Sequence, residues 1–229
     1  MRKAFIYSFK HSIPILVSFI PVGLVYGVLM SVNGYNALWS ALCSLFVFAG
    51  SLQYLMIDFF TGTASYLSVA IMAALLNSRH IFYGLPFIEK WKDYGAEKLF
   101  LIFALPDEAF SLHVSSEIDD ETNEKAVYIF NALFVLVYWV SISFIGGFIG
   151  NFFTFNTSGM DFALTALFIV IVLGQIKTSP SVAPGIIAIV SSLVCLAVIG
   201  PSYFILPSLI ITLITLVILR PKIEDKFYD

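Results

Sequence analysis

VFAGSLQYLMIDFF, residues 47 to 60, is apolar enough for a lipid interior, yet it carries Ala49, Gly50 and Ser51 near its start and the polar Gln53 and Asp58 beyond. If it continues one helix with the apolar residues before it, the stretch 37–60 crosses a bilayer. If the backbone departs sharply at Ala49 and Gly50, the same stretch is broken or dips in and returns. Glycine permits such a departure, and Ser51 is a good N-cap for a new helix beginning at Leu52. The number of crossings, and with it the fold, turns on this choice.

Composition sets the environment. Residues of the AVILMFWYC class make up 59% of the 229 and charged residues 12%, against roughly 25% charged in an average soluble domain. Mean hydropathy is +0.94. With 23 phenylalanines in the chain, a water-soluble globule would expose more apolar surface than its polar side chains could cover. The fold class read from this is an all-α integral membrane protein. A net charge of −3, spread along the chain, argues against a nucleic-acid partner. Cys43 and Cys195 both lie in apolar runs and imply no disulfide framework.

A bilayer core of about 30 Å takes about 20 helical residues. Candidate segments lie near 13–31, 37–60, 64–88, 126–150, 161–177, 182–199 and 203–219, with a shorter one at 99–113. The expectation is one transmembrane domain over 1–229, a polytopic bundle of seven or eight segments with one or two broken or re-entrant helices. The opening MRKAFIYSFKHS and the run after it lack a small-residue cleavage site and contain Pro14, Pro21, Gly23 and Gly27, so the run reads as the first span.

Lysine and arginine in short loops orient the spans. Arg2, Lys3 and Lys10 predict a cytoplasmic N-terminus, and Arg220, Lys222 and Lys226 a cytoplasmic C-terminus. Lys90, Lys92 and Lys98 place their loop inside as well, but three full crossings before it would put it outside. The conflict vanishes if 37–60 and 99–113 both re-enter; the competing topology lets both cross and breaks the charge rule once. In FALPDEAFSLH, residues 103–113, Pro106 suits the first turn of a new helix, and Asp107 and Glu108 favour its positive end. Irregular backbone at membrane depth survives where it is packed in protein or lines a wet cavity. Discontinuous helices of this kind point to a transporter's substrate site, because their free N-termini bind anionic groups. Close packing alone would also explain small residues in such segments.

Polar residues inside the apolar segments are few: Asp58, Arg79, His80, Asp107 and Glu108, with Gln53 and Asn77, and Asp161 near an edge. A charge at the bilayer centre costs about 2.5–3.5 kcal/mol on insertion scales, so such residues face a cavity or a partner. In AALLNSRHIFYGLPF, residues 73–87, a helix puts Asn77 and His80 on one face and Arg79 and Tyr83 on the next. Alternatively the span ends near Ser78, and Arg79 and His80 mark the interface. Gly23 with Gly27 and Gly146 with Gly150 give two GxxxG spacings, read chiefly as helix packing. The acidic stretch SSEIDDETNE, 115–124, lacks the pattern of a calcium loop and reads as a solvated connector. Asp161 reads as a helix-start carboxylate at the surface. HExxH, GxSxG and phosphate-loop motifs are missing, which disfavours an enzyme, and no metal or cofactor is implied.

PVGLVYG (21–27), SLFVFAGSLQ (44–53), NSRHIFYG (77–84), PDEAF (106–110) and DFALTALF (161–168), in this order and spacing, resemble the AzlC (azaleucine-resistance) family of branched-chain amino acid exporters. Ser78 and Pro106 depart from the family pattern, which has Leu and Thr there. The resemblance implies a secondary transporter exporting branched-chain or similar apolar amino acids across a bacterial cytoplasmic membrane, with a small AzlD-type membrane subunit. A proton gradient would drive it, since no ATP-binding motif is present.

The physical reading supplies the roles. The substrate carboxylate is expected at the helix start of Gly50 and Ser51, assisted by Gln53, Asn77 or Arg79, and the ammonium near Asp107 or Glu108. His80 or one of those carboxylates would carry the coupling proton. A channel for a small solute and a non-transporting membrane scaffold are the rival classes.

Overall fold

A computed structural model describes residues 1–60, 65–119, 121–152, 162, 169, 173, 182–200 and 204–224. The described residues are helical and irregular, with no strand among them. Contacts divide the chain into two compact units, Met1–Leu164 and Thr165–Asp229. The expected segment 161–177, with Asp161, lies almost wholly outside the described residues.

Two helices frame the first unit. α1 (Arg2–Val32) and α8 (Glu124–Phe152) are each long and apolar enough to cross a bilayer. Between them come α2 (Ala37–Phe46), α3 (Gly50–Phe60), α4 (Tyr66–Asn77), α5 (Arg79–Tyr83), a 3-10 turn (Leu85–Phe87), α6 (Glu97–Phe103) and α7 (Asp107–Ser115). α1 starts well before the expected residue 13 and runs through Pro14 and Pro21. Each internal proline costs about 3 kcal/mol of helix propensity, so packing must carry this helix. Ser8 and Ser12, polar in the sequence, are fully buried: Ser8 Oγ donates to Val127 O at 3.2 Å, and Ser12 Oγ lies 3.1 Å from Tyr138 Oη.

α1 and α8 run side by side in the same direction. Ala4 packs with Ala126 and Val127 near their starts. Farther along, the Phe19 ring lies 5.0 Å from that of Trp139, and at the far ends Ser31 Oγ donates to Asn151 Oδ1 at 2.8 Å. Glycines set the separation. A Cβ on Gly27 would stand 2.3 Å from both Gly147 N and Ser143 O, and one on Gly146 would stand 2.4 Å from Leu24 O. Gly23 faces Ile142, and Gly150 faces Ser31 and Val28.

Because α1 and α8 are parallel, residues 33–123 must carry the chain back from the Val32 end to the Glu124 end. They do so with two helical hairpins and one descending run. α2 begins where Ala37 and Ser40 meet Gly147 and descends toward Trp139; α3 climbs back until the Phe60 ring packs 4.8 Å from Tyr35. Both ends of 37–60 therefore lie at the same end of the α1–α8 pair. α4 to the 3-10 turn then run down to Lys90, whose Nζ is 3.5 Å from Glu124 Oε1 at the α8 start. The second hairpin rises from that end: Glu97 pairs with Lys125 at 3.0 Å, α6 climbs to Phe103, and α7 descends until His11 Nε2 meets Ser115 Oγ at 3.1 Å. The two hairpins point at each other from opposite ends.

The hairpin tips differ in detail from the sequence expectation. α3 begins at Gly50, with Gln53 N–H bonding Ala49 O at 2.9 Å, so Ser51 sits inside the first turn and is not the N-cap of a helix from Leu52. The sharp backbone departure falls on Phe48, with φ 43°, not on Gly50. The Trp139 indole lies against Gly50, 3.4 Å from where a Cβ would be, which is ordinary van der Waals contact. Pro106 is the extended N-cap of α7 rather than its first helical residue. The expected span 64–88 is interrupted at Ser78 and again at Gly84.

In the second unit, α9 (Ala183–Ile199) and α10 (Ile205–Glu224) pack on each other. α9 buries Ser191 and Cys195 and ends at Gly200, whose φ of 89° suits glycine.

Replacing Gly27 by Leu forces α1 from α8 by more than side-chain adjustment can absorb, a penalty of about 1–3 kcal/mol or more. We expect Gly27→Leu to lower the melting temperature in detergent and the monodisperse yield. Gly185→Ala, at a position with open space around it, should leave both unchanged.

Candidate functional site

Both hairpin tips reach the level of Trp139, near the middle of α8. There a buried polar tie joins three helices: Trp139 Nε1 donates to Gln53 Oε1 at 2.7 Å, and Gln53 Nε2 donates to Ser44 Oγ at 2.9 Å. Gln53 is fully buried, with Tyr26 and Tyr54 rings packed beside it. Tyr54 Oη donates to Val22 O. Gln53, expected to assist at the substrate, has its amide bonded at both ends, which holds α2 and α3 against α8.

Arg79, at the start of α5, links the two tips. Its Nη2 donates to Ser51 Oγ at 3.0 Å, in the first turn of α3, and lies 2.9 Å from Asp107 Oδ2, the first residue of α7. One guanidinium nitrogen thus joins the starts of helices that approach from opposite ends of the unit. Four residues on, Tyr83 donates from its hydroxyl to Asp107 Oδ1 and stacks on Phe110 with ring centroids 4.6 Å apart. Arg79 and Tyr83, one helical turn apart, hold one oxygen each of the same carboxylate.

The pair is two-thirds buried, with side-chain exposures of 31% and 32%. A charge-assisted bond in that setting is stronger than one in water, and the positive start of α7 adds to it by favouring Asp107 and Glu108. The first turn of α3 carries no acidic residue, so its positive end meets only the Ser51 hydroxyl and the guanidinium beyond. His80 stands edge-on to Tyr83 at 5.5 Å. Among the described residues, Arg79 Nε and Asn77 Oδ1 are buried without a hydrogen-bond partner: one unused donor and one unused acceptor, two residues apart. No three His, Cys, Asp or Glu side chains come together as a metal site among the described residues.

The ends of this arrangement are pinned by surface ion pairs. Lys90 donates to Tyr128 Oη at 3.3 Å, Tyr128 to Glu124 at 2.9 Å, and Lys3 pairs with Glu121. Its own backbone N–H, and then Lys125, hold the Glu97 carboxyl below its ordinary range. The expected solvated connector 115–124 is therefore tied at its C-terminal half to α1 and to the loop before α6.

A family model described as AzlC protein matches residues 14–153. The chain belongs to the AzlC family. This AzlC-family chain is 32% identical over 221 residues to the branched-chain amino acid transport protein AzlC of Bacillus subtilis, covering 96% of the chain and 87% of that relative. It is 32% identical over 222 residues to an uncharacterized membrane protein of Helicobacter pylori (97% of each) and 30% identical over 220 residues to one of Haemophilus influenzae (96% and 90%). No solved structure matches.

Arg79, Asp107, Ser51, Asn77, His80 and Glu108 all lie in the part matched by the AzlC model. Sequence reading noted Tyr83 one turn from Arg79 but gave it no role; the shared carboxylate shows what the spacing does. Trp139 carried no signal, since tryptophan in an apolar segment looks like packing until its N–H is seen on Gln53.

If Arg79 and Asp107 act on one another, removing either should hurt more than removing both. Arg79→Ala, Asp107→Asn and the double variant should give a coupling of about 0.5–3 kcal/mol in thermal unfolding in detergent. Strictly additive losses would mean that the pair contributes nothing to stability.

Proposed function

We propose that this protein is a secondary transporter that exports branched-chain or similar apolar amino acids across a bacterial cytoplasmic membrane, together with a small AzlD-type membrane subunit. The observation that carries the reading is Arg79 bridging Ser51 and Asp107 at the facing starts of α3 and α7. Half-helices whose starts meet at mid-depth are how transporters hold a charged solute between two gates. The name of the Bacillus subtilis relative supplies the solute class.

In this mechanism α1, α8 and the run from α4 to the 3-10 turn cross, while α2–α3 and α6–α7 re-enter from opposite sides. Lysines 90, 92 and 98 then fall on the same side as Lys3, as the positive-inside rule asks. The solute carboxylate binds at the open start of α3 and on the unused donors of Arg79. Its ammonium goes to Asp107 or Glu108, and to Asn77 Oδ1. Binding loosens the Arg79–Asp107 pair, which frees the two tips to move apart. Glu108 or His80 takes the proton that drives export. A channel would share the hairpins but would not pump, and a scaffold would not need the buried charge pair.

Counterflow of labelled leucine into proteoliposomes tests this directly, with the chain alone and with its small subunit. Saturable exchange is expected when both are present. Removing one charge-assisted contact worth about 1.5–3 kcal/mol should lower leucine exchange about ten-fold or more in Arg79→Ala and in Asp107→Asn at normal expression. Wild-type rates in both variants would sink the mechanism.

Topology has its own test, in a background with Cys43 and Cys195 replaced. Cysteine at Asn33 and at Ser65 should react with an impermeant thiol reagent from outside the cell, and cysteine at Lys92 and at Asp119 only from inside. Reactivity of Lys92→Cys from outside would require 37–60 to cross.

A further inference from the structure

An amino acid whose charged head lies at Arg79 must leave its side chain against the hairpin tips. These tips are apolar on both sides. Ala49 at the first tip and Ala104 and Leu105 at the second are all at most 6% exposed. An aromatic ring of each tip meets one of the other, Phe48 just before α3 and Phe103 at the end of α6. The two rings face one another across the gap, with centroids 6.1 Å and planes 30° apart. Two other aromatics near the α3 start are committed elsewhere: Tyr54 is bonded to Val22 O and packed on Tyr26, and the Trp139 indole is bonded to Gln53.

The two phenylalanines differ in freedom. Phe48 is 5% exposed and has φ 43°, and among the described residues it is the one non-glycine residue with positive φ. A bulky residue in the left-handed region is strained by about 1–3 kcal/mol and persists only where its surroundings fix it; such strain gathers at ligand clamps and switches. Phe103 is 46% exposed, at the last residue of α6 before the break. One ring is enclosed on a strained backbone; the other is about half exposed at the end of its helix.

We propose that Phe48 and Phe103 form the side-chain subsite of the transported amino acid, Phe48 as a fixed floor and Phe103 as an adjustable wall. The proposal rests on the reading of the Arg79 cluster as an amino acid site and goes beyond it by assigning the selection among apolar side chains. The wall's bulk admits a short branched side chain and turns away an aromatic one. Shortening it opens the subsite, and widening it closes the subsite to branched chains. Because selection by an apolar pocket changes by roughly 10–200-fold per methylene-sized mismatch, a phenyl-to-methyl change in the wall lies well within reach of a competition assay.

The experiment is counterflow of labelled leucine in proteoliposomes holding the chain with its small subunit, competed by unlabelled alanine, valine, leucine and phenylalanine, for wild type, Phe103→Ala, Phe103→Leu and Phe103→Trp. Phe103→Ala should improve competition by phenylalanine about ten-fold or more relative to leucine. Phe103→Trp should shift preference toward alanine, with Phe103→Leu intermediate between wild type and Phe103→Ala. The half-exposed position lets these variants fold. Should any of them bind but not transport, the rise in melting temperature with each amino acid in detergent gives the same ranking. An unchanged ranking in Phe103→Ala, or an equal loss for all four amino acids at normal yield, overturns the subsite while wild-type leucine exchange keeps the transport reading intact. Absence of leucine exchange in wild type overturns the transport reading, and the subsite falls with it.

Discussion

The glycine contact between α1 and α8 is the constraint from which the rest of the first unit follows. Gly27 and Gly146 let the two backbones approach until no Cβ fits between them. In a lipid interior, where apolar side chains gain little by leaving the solvent, such close backbone approach is a main source of helix association. Since the two helices are parallel, everything between them must amount to one net return. α2 has 10 residues and α3 has 11, or roughly 15 Å of rise each. Neither spans a bilayer, and folded back on one another they leave the single descending run to make the return.

The same geometry makes a charged group tolerable in the middle of the unit. An isolated guanidinium at that depth would be costly. Arg79 instead sits where Ser51 accepts from it and Asp107 opposes its charge, while Tyr83 occupies the other carboxylate oxygen. The start of α7 stabilises the carboxylate as well. The first turn of α3 carries no acid, so no carboxylate of its own offsets its positive end. Packing provides the frame, and the Gln53–Trp139 tie keeps the first tip at the height where Arg79 can reach it.

How much of this could be read in the sequence depended on whether the signal was local. Proline followed by two acids is a strong local instruction, and the break before α7 falls within one residue of where Pro106, Asp107 and Glu108 place it. The break before α3 was located only approximately, because the left-handed backbone falls on Phe48, a bulky residue that gives no local sign of it, and not on the nearby Gly50. The first span was expected from residue 13 and α1 starts at Arg2, because nothing in α1 reveals that α8 offers Ser8 a carbonyl and Ser12 a phenol. The two GxxxG spacings likewise named faces without naming partners or direction. The part Gln53 plays in the frame was hidden for the same reason: an amide in an apolar segment needs a partner, and the sequence cannot show that Trp139 and Ser44 supply it.

The parallel pairing of α1 with α8 also has a consequence for how the chain is made. α1 leaves the ribosome first, but the surface it is shaped to fit lies 119 to 120 residues behind the residues that meet it, and the indole that donates to Gln53 lies 86 residues behind that amide. Until α8 is synthesised, α1 has no glycine-lined partner, and the Gln53 amide has Ser44 but not Trp139 to bond. Closing contacts so distant in sequence is slow, and half-paired intermediates are exposed to wrong partners meanwhile. The first unit therefore reaches its packed arrangement only when α8 is present, the helix against which α1, α2 and α3 are positioned.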